Sequence, residues 1–268
     1  MKIKRDFYLT QLIDRKHNRM IKIVSGIRRC GKSYLLSELF TQHLLDEGVD
    51  RHHIIHIDLD TRDNLEYRNP DACNQYVKSL IKDDNMYYLL LDEVQLMEDF
   101  VSVLNGFLHI KNLDVYVTGS NSKFLSSDIV TEFRGRGDEI RVYPLSFAEI
   151  YPIYDNNWEK AWGEYTVYGG IPLVFTYQKE EDKVKYLKNL FKETYLKDII
   201  ERNRIKSTEE LEELLNILAS NIGSLVNPQK LTATFKSVKK VDLSAPTIKQ
   251  YLDYLQDAFF VNKVLRYN

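Results

Sequence analysis

The chain has 268 residues, 44% of them apolar, a formal charge of −2 and two cysteines. That is enough apolar material for one large domain and a small one, too balanced a charge for binding nucleic acid over the whole surface, and too few thiols for a disulfide framework. No apolar run approaches the roughly 20 residues that span a bilayer, so no transmembrane helix is expected and the expected setting is reducing and cytoplasmic.

Residues 21–25, IKIVS, form a β-branched run that leads into the loop GIRRCGKS, after which Leu35, Leu36, Leu39, Phe40, Leu44 and Leu45 recur at helical spacing. The order is strand, loop, helix. HIIHIDL at 53–59 reads as a second strand, followed by a helix carrying Tyr76, Val77, Leu80 and Ile81. MYYLLLD at 86–92 is a third, nearly all apolar, as a central parallel strand covered on both faces should be. Phe100, Val101, Leu104 and Leu108 mark a helix, LDVYVT at 113–118 a fourth strand ending in Gly119-Ser120-Asn121, and EIRVY at 139–143 a fifth strand. Strands alternating with helices predict a parallel sheet in a three-layer α/β domain over residues 1–145.

Past Pro144 the alternation stops. A helical linker or lid is expected over 146–206, with Val184, Leu187, Leu190, Phe191 and Leu196 on one apolar face. Residues 207–268 read as three helices and a hairpin strand, a winged helix-turn-helix pattern, with the second and third helices opening at Asn227-Pro228 and Ala245-Pro246. The chain ends on an apolar stretch with no polar tail, so the natural protein is expected to continue beyond Asn268.

Gly26, Gly31, Lys32 and Ser33 fit G-x-x-x-x-G-K-[ST] between a strand and a helix. The glycines let the backbone curl so that N–H groups from Arg28 to Ser33 converge on a β-phosphate at the positive end of a helix. The expected nucleotide site is therefore Gly26, Ile27, Arg28, Arg29, Cys30, Gly31, Lys32 and Ser33, with Tyr34 in the first turn. Lys32 would span the β and γ phosphates and the Ser33 hydroxyl would ligate Mg²⁺. Asp92, closing the apolar third strand, is the second Mg²⁺ candidate, and Glu93 the general base that polarises an attacking water. Ser120, or failing that Asn121, is the candidate water-holding sensor. Arg136, or less so Arg134, is the candidate arginine that reaches the γ-phosphate of its own or a neighbouring subunit. Plainer alternatives stand beside each: a glycine turn, polar strand termination, a solvated turn.

Other features carry less. Strand alternation sends His53 to the opposite face from His52 and His56, so these are read as solvated histidines and not as a metal site. Cys30, in an electropositive loop, could have a lowered pKa, but only its backbone N–H is needed there. Residues 226–268 hold seven Lys or Arg against three Asp, a surplus too small to choose between DNA, a protein partner and internal packing for the third helix, TIKQYLDYLQDAFF.

The combination GIRRCGKS, LLLDEVQ, VTGSNSKFLS, GRG before YPLSFAEI, YGGIPLV and ETYLKDI resembles the prokaryotic AAA+-like (ASCE-type) P-loop ATPases whose C-terminal module is a domain of unknown function. The resemblance runs from Arg5 to Asn268. It implies ATP and Mg²⁺, ATP in preference to GTP, the strand order 5-1-4-3-2, Asp92-Glu93 as the acidic pair, Ser120 or Asn121 as sensor, Arg136 in the glycine-arginine motif, and a winged-helix segment. Family members often continue into a nuclease-like module, and no nuclease site can be assigned within these residues. The expected activity is hydrolysis of ATP to ADP and phosphate that drives or gates a conformational change. The alternative is a slow nucleotide-gated switch that recognises protein or DNA through 207–268, as a monomer or an oligomer. A kinase is disfavoured, because Glu93 directly after Asp92 suits water activation better than an acceptor.

Overall fold

A computed structural model of the chain describes residues 3–119, 133, 135–239 and 243–264. By internal contacts the chain divides between residues 183 and 184 into two compact units.

The first unit is built on a five-stranded sheet: β1 (Ile21–Ser25), β2 (Ile54–Asp58), β3 (Tyr87–Asp92), β4 (Leu113–Gly119) and β5 (Gly137–Arg141). The spatial order is β2-β3-β4-β1-β5 and every pairing is parallel. Read from the other edge this is 5-1-4-3-2, with β4 inserted between β1 and β3.

The apolar runs explain the layers. Alternate residues of a strand face opposite sides of the sheet. Ile23, Ile57, Leu89, Leu91, Val115 and Val117 pack on one side against Cys73 and Val77 of α3 (Pro70–Leu80) and Leu104 and Phe107 of α4 (Phe100–Phe107). Val24, Ile54, Leu90, Tyr116 and Ile140 pack on the other side. Their partners are Tyr8 and Leu12 of α1 (Asp6–Asp14) and Leu35, Leu36, Leu39, Phe40 and Leu44 of the helix after the loop. That helix, α2, starts as Lys32–Tyr34, loosens to π-helical geometry over Leu35–Phe40 and resumes as Thr41–Asp46. Burying side chains such as Leu89, Leu90 and Leu91 completely stabilises the unit by about 1.5–3 kcal/mol each.

One charged pair lies inside this apolar frame. Lys22 of β1 is fully buried and its ammonium donates to Asp114 of β4, which also accepts from the Tyr116 hydroxyl at 3.0 Å and the His17 N–H at 3.1 Å. The hydroxyl and amide occupy the remaining carboxylate oxygen, which is the condition for an ion pair to survive burial.

The histidines correct the alternation argument. His52 and His53 stand in a 3₁₀ turn (Arg51–His53) before β2, so only His56 is in the strand. His52 pairs with Asp50 and His53 with Asp83. The fifth strand also begins and ends two residues earlier than the expected 139–143. Its backbone leaves the ladder after Arg141, and the Val142 N–H donates to Ser25 O at 2.8 Å.

After β5 come the short α5 (Phe147–Ile150), closed by a Ser146–Glu149 capping box, and α6 (Trp158–Tyr168). The helix that follows, α7, begins as Glu180–Asn189, is π-helical over Leu190–Leu196 and ends as Lys197–Asn203.

The second unit holds α8 (Thr208–Ser220), α9 (Pro228–Thr234) and α10 (Ala245–Asp257). Asn227 and Ser244 cap α9 and α10 by accepting the Gln229 and Thr247 N–H groups, each with a proline in the first turn. Leu211, Leu214, Leu231, Ile248 and Leu255 form the centre of its core. No strand follows α10 among the described residues, and Val261–Val264 carry no regular structure.

Candidate nucleotide-binding site

The loop after β1 is shaped by backbone hand. Gly26, Arg29 and Gly31 have φ of +144°, +66° and +99°, so the chain reverses hand within six residues and adjacent N–H groups turn into one concavity. Gly26 cannot be replaced, because a Cβ there would lie 2.1 Å from the Val142 carbonyl oxygen. Arg29 pays for its left-handed geometry with strain of about 1–3 kcal/mol and is exposed.

Lys32 is 4% exposed, and its ammonium donates to Gly26 O at 2.9 Å and Ile27 O at 3.1 Å. Among the described residues no carboxylate pairs with it. A buried ammonium held only by neutral carbonyls is electrostatically incomplete, and a phosphate anion in the adjoining concavity completes it. On this observation the loop fits a polyphosphate. Ser33 opens the first turn of α2 with its side chain exposed, and Tyr34 beside it is half-buried.

The acidic pair sits at the end of β3, beside the end of β4. Asp92 is 4% exposed and accepts a hydrogen bond from the Thr118 hydroxyl. The same hydroxyl oxygen accepts the Glu93 N–H at 3.0 Å. Thr118 therefore fixes both acids at once. Glu93 adopts φ +53°, a strained geometry that points a following residue away from the strand line, and its carboxylate accepts from the Gln95 amide. Ser33 and Asp92 offer oxygens of the hard, anionic or hydroxylic kind that Mg²⁺ takes.

Because the sheet is parallel, the P-loop, Asp92 and Thr118 all lie at the C-terminal edge of their strands. Arg136 does not. Its carbonyl accepts the N–H of Ile21, the first residue of β1, and it immediately precedes Gly137, which pairs with Ile21. Four residue steps of β1, about 13 Å, separate that edge from the loop, so Arg136 is not brought together with Lys32, Asp92 and Glu93 of its own chain. Ser120, Asn121 and Arg134 lie outside the described residues.

Two residues escaped the sequence reading. Thr118 carried the signal of a hydroxyl in the last positions of a largely apolar strand, beside the small polar run that follows it. Arg5 carried no local signal at all. It is 2% exposed, and its guanidinium donates to Cys30 O of the loop at 2.9 Å and to Tyr143 O at 2.7 Å. Its Nε lies 2.7 Å from Glu149 Oε1, and the group stacks 4.5 Å over the Tyr8 ring. The YGGIPLV motif also finds its place. Leu145 N–H donates to Gly170 O at 2.7 Å, and a Cβ at Gly170 would fall 2.1 Å from Leu145 O. The Pro172 ring then lies 3.8 Å from where a Gly31 Cβ would be. Cys30 corrects the expectation of a lowered pKa: burial pushes its thiol up, outweighing the opposing charges of Lys32 and Arg5. Its Sγ donates to Val142 O at 3.5 Å.

A parallel sheet of order 5-1-4-3-2, a glycine-lysine-serine loop after β1 and an acid closing β3 define the P-loop nucleoside triphosphatase fold. The AAA domain family matches residues 18–151, and a domain of unknown function, DUF8612, matches residues 159–268. The chain belongs to the AAA-domain P-loop ATPases that carry this C-terminal domain, a nucleotide-binding class that generally takes ATP with Mg²⁺. It is 34% identical to an uncharacterized protein of Haemophilus influenzae, covering 99% of this chain and 67% of that protein. To an uncharacterized protein of Methanocaldococcus jannaschii it is 27% identical, covering 90% and 55%. The chain thus spans between about half and two thirds of these relatives. A Walker-type ATPase of Pyrococcus abyssi shares the fold, with a TM-score of 0.62 and 16% identity over 96% of this chain and 90% of that one. Among the described residues no helix is long and apolar enough to cross a membrane.

Proposed function

We propose that the chain binds ATP in the Gly26–Ser33 loop and hydrolyses it to ADP and phosphate, using the step to drive or gate a conformational change. The observation that carries this reading is the pairing of an uncompensated buried ammonium, Lys32, with an acidic pair locked by one threonine at the same edge of the sheet. The loop N–H groups and Lys32 hold the β and γ phosphates. Ser33 and Asp92 hold Mg²⁺, which when bound neutralises charge on the phosphate oxygens. Glu93 orients the attacking water and takes its proton. Ser120 or Asn121 is the proposed sensor, and Arg136, placed away from its own loop, serves the phosphate of a neighbouring subunit if it serves any. Residues 207–268 are the proposed recognition segment for a protein or DNA partner.

A second reading has its own support. The Glu93 carboxylate accepts from Gln95, which occupies the base at rest and suits a switch that holds ATP until a partner releases it. Single-turnover measurement with Mg²⁺ separates the two: phosphate release over seconds to minutes supports the ATPase, and retention of ATP for hours supports the switch. No Mg²⁺-dependent turnover, together with no change in Glu93→Gln, would sink the first reading.

A further inference from the structure

We infer that Arg5 is a positioning residue for the phosphate loop: it fixes the Cys30–Gly31 peptide so that the Gly31 N–H faces the phosphate site. This rests on the nucleotide-site reading above, and adds to it a residue 25 positions before Cys30 in sequence.

In a planar trans peptide the C=O and the following N–H point in opposite directions. The Cys30 carbonyl points at the Arg5 guanidinium, 2.9 Å away, so the Gly31 N–H points the other way. Gly31 has φ +99°, and a peptide that precedes glycine is the one most free to flip, since no Cβ resists the alternative. A flip here would present a carbonyl oxygen, not an N–H, to an anion. Arg5 opposes that flip with a charge-assisted bond in a site sealed from water.

The anchor is itself held from three directions. The Arg5 carbonyl accepts the Tyr8 and Leu9 N–H groups at 3.0 and 2.9 Å in the first turn of α1. Its second terminal nitrogen donates to Tyr143 O at 2.7 Å, and its Nε faces Glu149 Oε1 at 2.7 Å. The other oxygen of Glu149 accepts from the Ser146 N–H and hydroxyl at 2.8 and 2.9 Å. The guanidinium therefore has little freedom to leave the loop, and the planar fork suits this many-sided contact as an ammonium does not.

The test compares Arg5→Lys and Glu149→Gln with the unaltered chain. Lysine keeps the charge facing Glu149 but cannot reach both carbonyls. Two measurements are made: amide hydrogen exchange in the nucleotide-free protein, and Mg²⁺-dependent affinity for ADP and a non-hydrolysed ATP analogue. In Arg5→Lys the Cys30 amide, which donates to Ile27 O at 3.3 Å within the loop, is expected to exchange about ten- to a hundredfold faster, and both nucleotides to bind weaker by a similar factor, as loss of a hydrogen bond to a charged group implies. The Leu90 amide in β3 keeps its protection. Glu149→Gln removes the partner charge of a buried pair but retains the bonds to both carbonyls, and should weaken nucleotide binding less than Arg5→Lys does. Unchanged Cys30 exchange in Arg5→Lys would overturn the inference, as would loss of protection throughout β3, which would make Arg5 a fold residue only. If the unaltered chain binds no nucleotide, the proposed function falls, and Cys30 exchange alone decides the role of Arg5.

Discussion

Replacing Thr118 by valine tests the arrangement most directly. The shape of the side chain is kept and one oxygen is removed. That oxygen has two duties: it donates to the buried Asp92 carboxylate and accepts the Glu93 N–H at 3.0 Å. A hydrogen bond to a charged group is worth about 1.5–3 kcal/mol and an orphaned buried donor costs about 1–3 kcal/mol. Some relaxation toward solvent is open to Glu93, which is half-buried, so the net loss should be about 3 kcal/mol. For a unit of this size that lowers the melting temperature by about 6–12 °C. Thr118→Ser keeps the hydroxyl and should lose only the contribution of a methyl group, about 1 kcal/mol. Activity should fall further than stability, because a base displaced by an ångström costs about a hundredfold in rate. Differential scanning calorimetry and a phosphate-release assay, run below the melting range of all three proteins, give both numbers. A valine variant that melts with the serine variant and turns over ATP at the unaltered rate would show that the hydroxyl holds neither acid.

Three further perturbations follow from the geometry. Gly26→Ala sets a Cβ against the Val142 carbonyl at φ +144° and should cost about 2–4 kcal/mol with loss of nucleotide binding. Gly106→Ala, on the open surface of α4, should instead gain about 0.5–1 kcal/mol in the same melting experiment. Asp114→Asn strands the buried Lys22 ammonium and should cost about 3–5 kcal/mol near neutrality by urea titration. Burial already pushes the Lys22 pKa down, with the charge and hydrogen bond of Asp114 opposing it. Without that opposition the folded lysine binds fewer protons than the unfolded one at pH values below 10.5. Stability of the variant should therefore recover as pH rises toward that value, and a midpoint that stays flat or falls would contradict the assignment.

The parts of this structure that were legible in the sequence are those written in short-range pattern. β3 announced itself because YYLLLD has no polar residue before its last position, and the loop because its glycines and lysine recur at fixed spacing. The starts of α9 and α10 were legible for the same reason, marked by Asn227-Pro228 and Ala245-Pro246. Contacts between distant residues were not legible. Arg5 meets Cys30 and Tyr143 across 25 and 138 positions, and nothing in its neighbourhood distinguishes it from Lys2 or Lys4. Arg136 was legible only as an alternative, its own phosphate or that of a neighbouring subunit, and topology bears on the choice. A residue that precedes a strand of a parallel sheet lies at the edge opposite the loops that follow strands, so topology alone argued against its own phosphate. The alternation argument for the histidines failed through a boundary: a strand that starts one residue later than expected put His53 in a turn, and alternation had nothing left to act on.

The strand inserted between β1 and β3 has a consequence for how nucleotide state is sensed. Neighbouring strands lie about 4.8 Å apart, so β1, which leads into the loop before Lys32, and β3, which ends in Asp92, are separated by roughly 9.5 Å. The backbone edges that lead to the lysine and to the acid are then farther apart than any direct hydrogen bond spans. On the proposed reading, the terminal phosphate and its water are the missing span, and a diphosphate is too short to complete it. β4, which carries Thr118 and leads into Ser120 and Asn121, forms the floor of that gap. The length of the phosphate chain would thus be measured against the width of one β-strand.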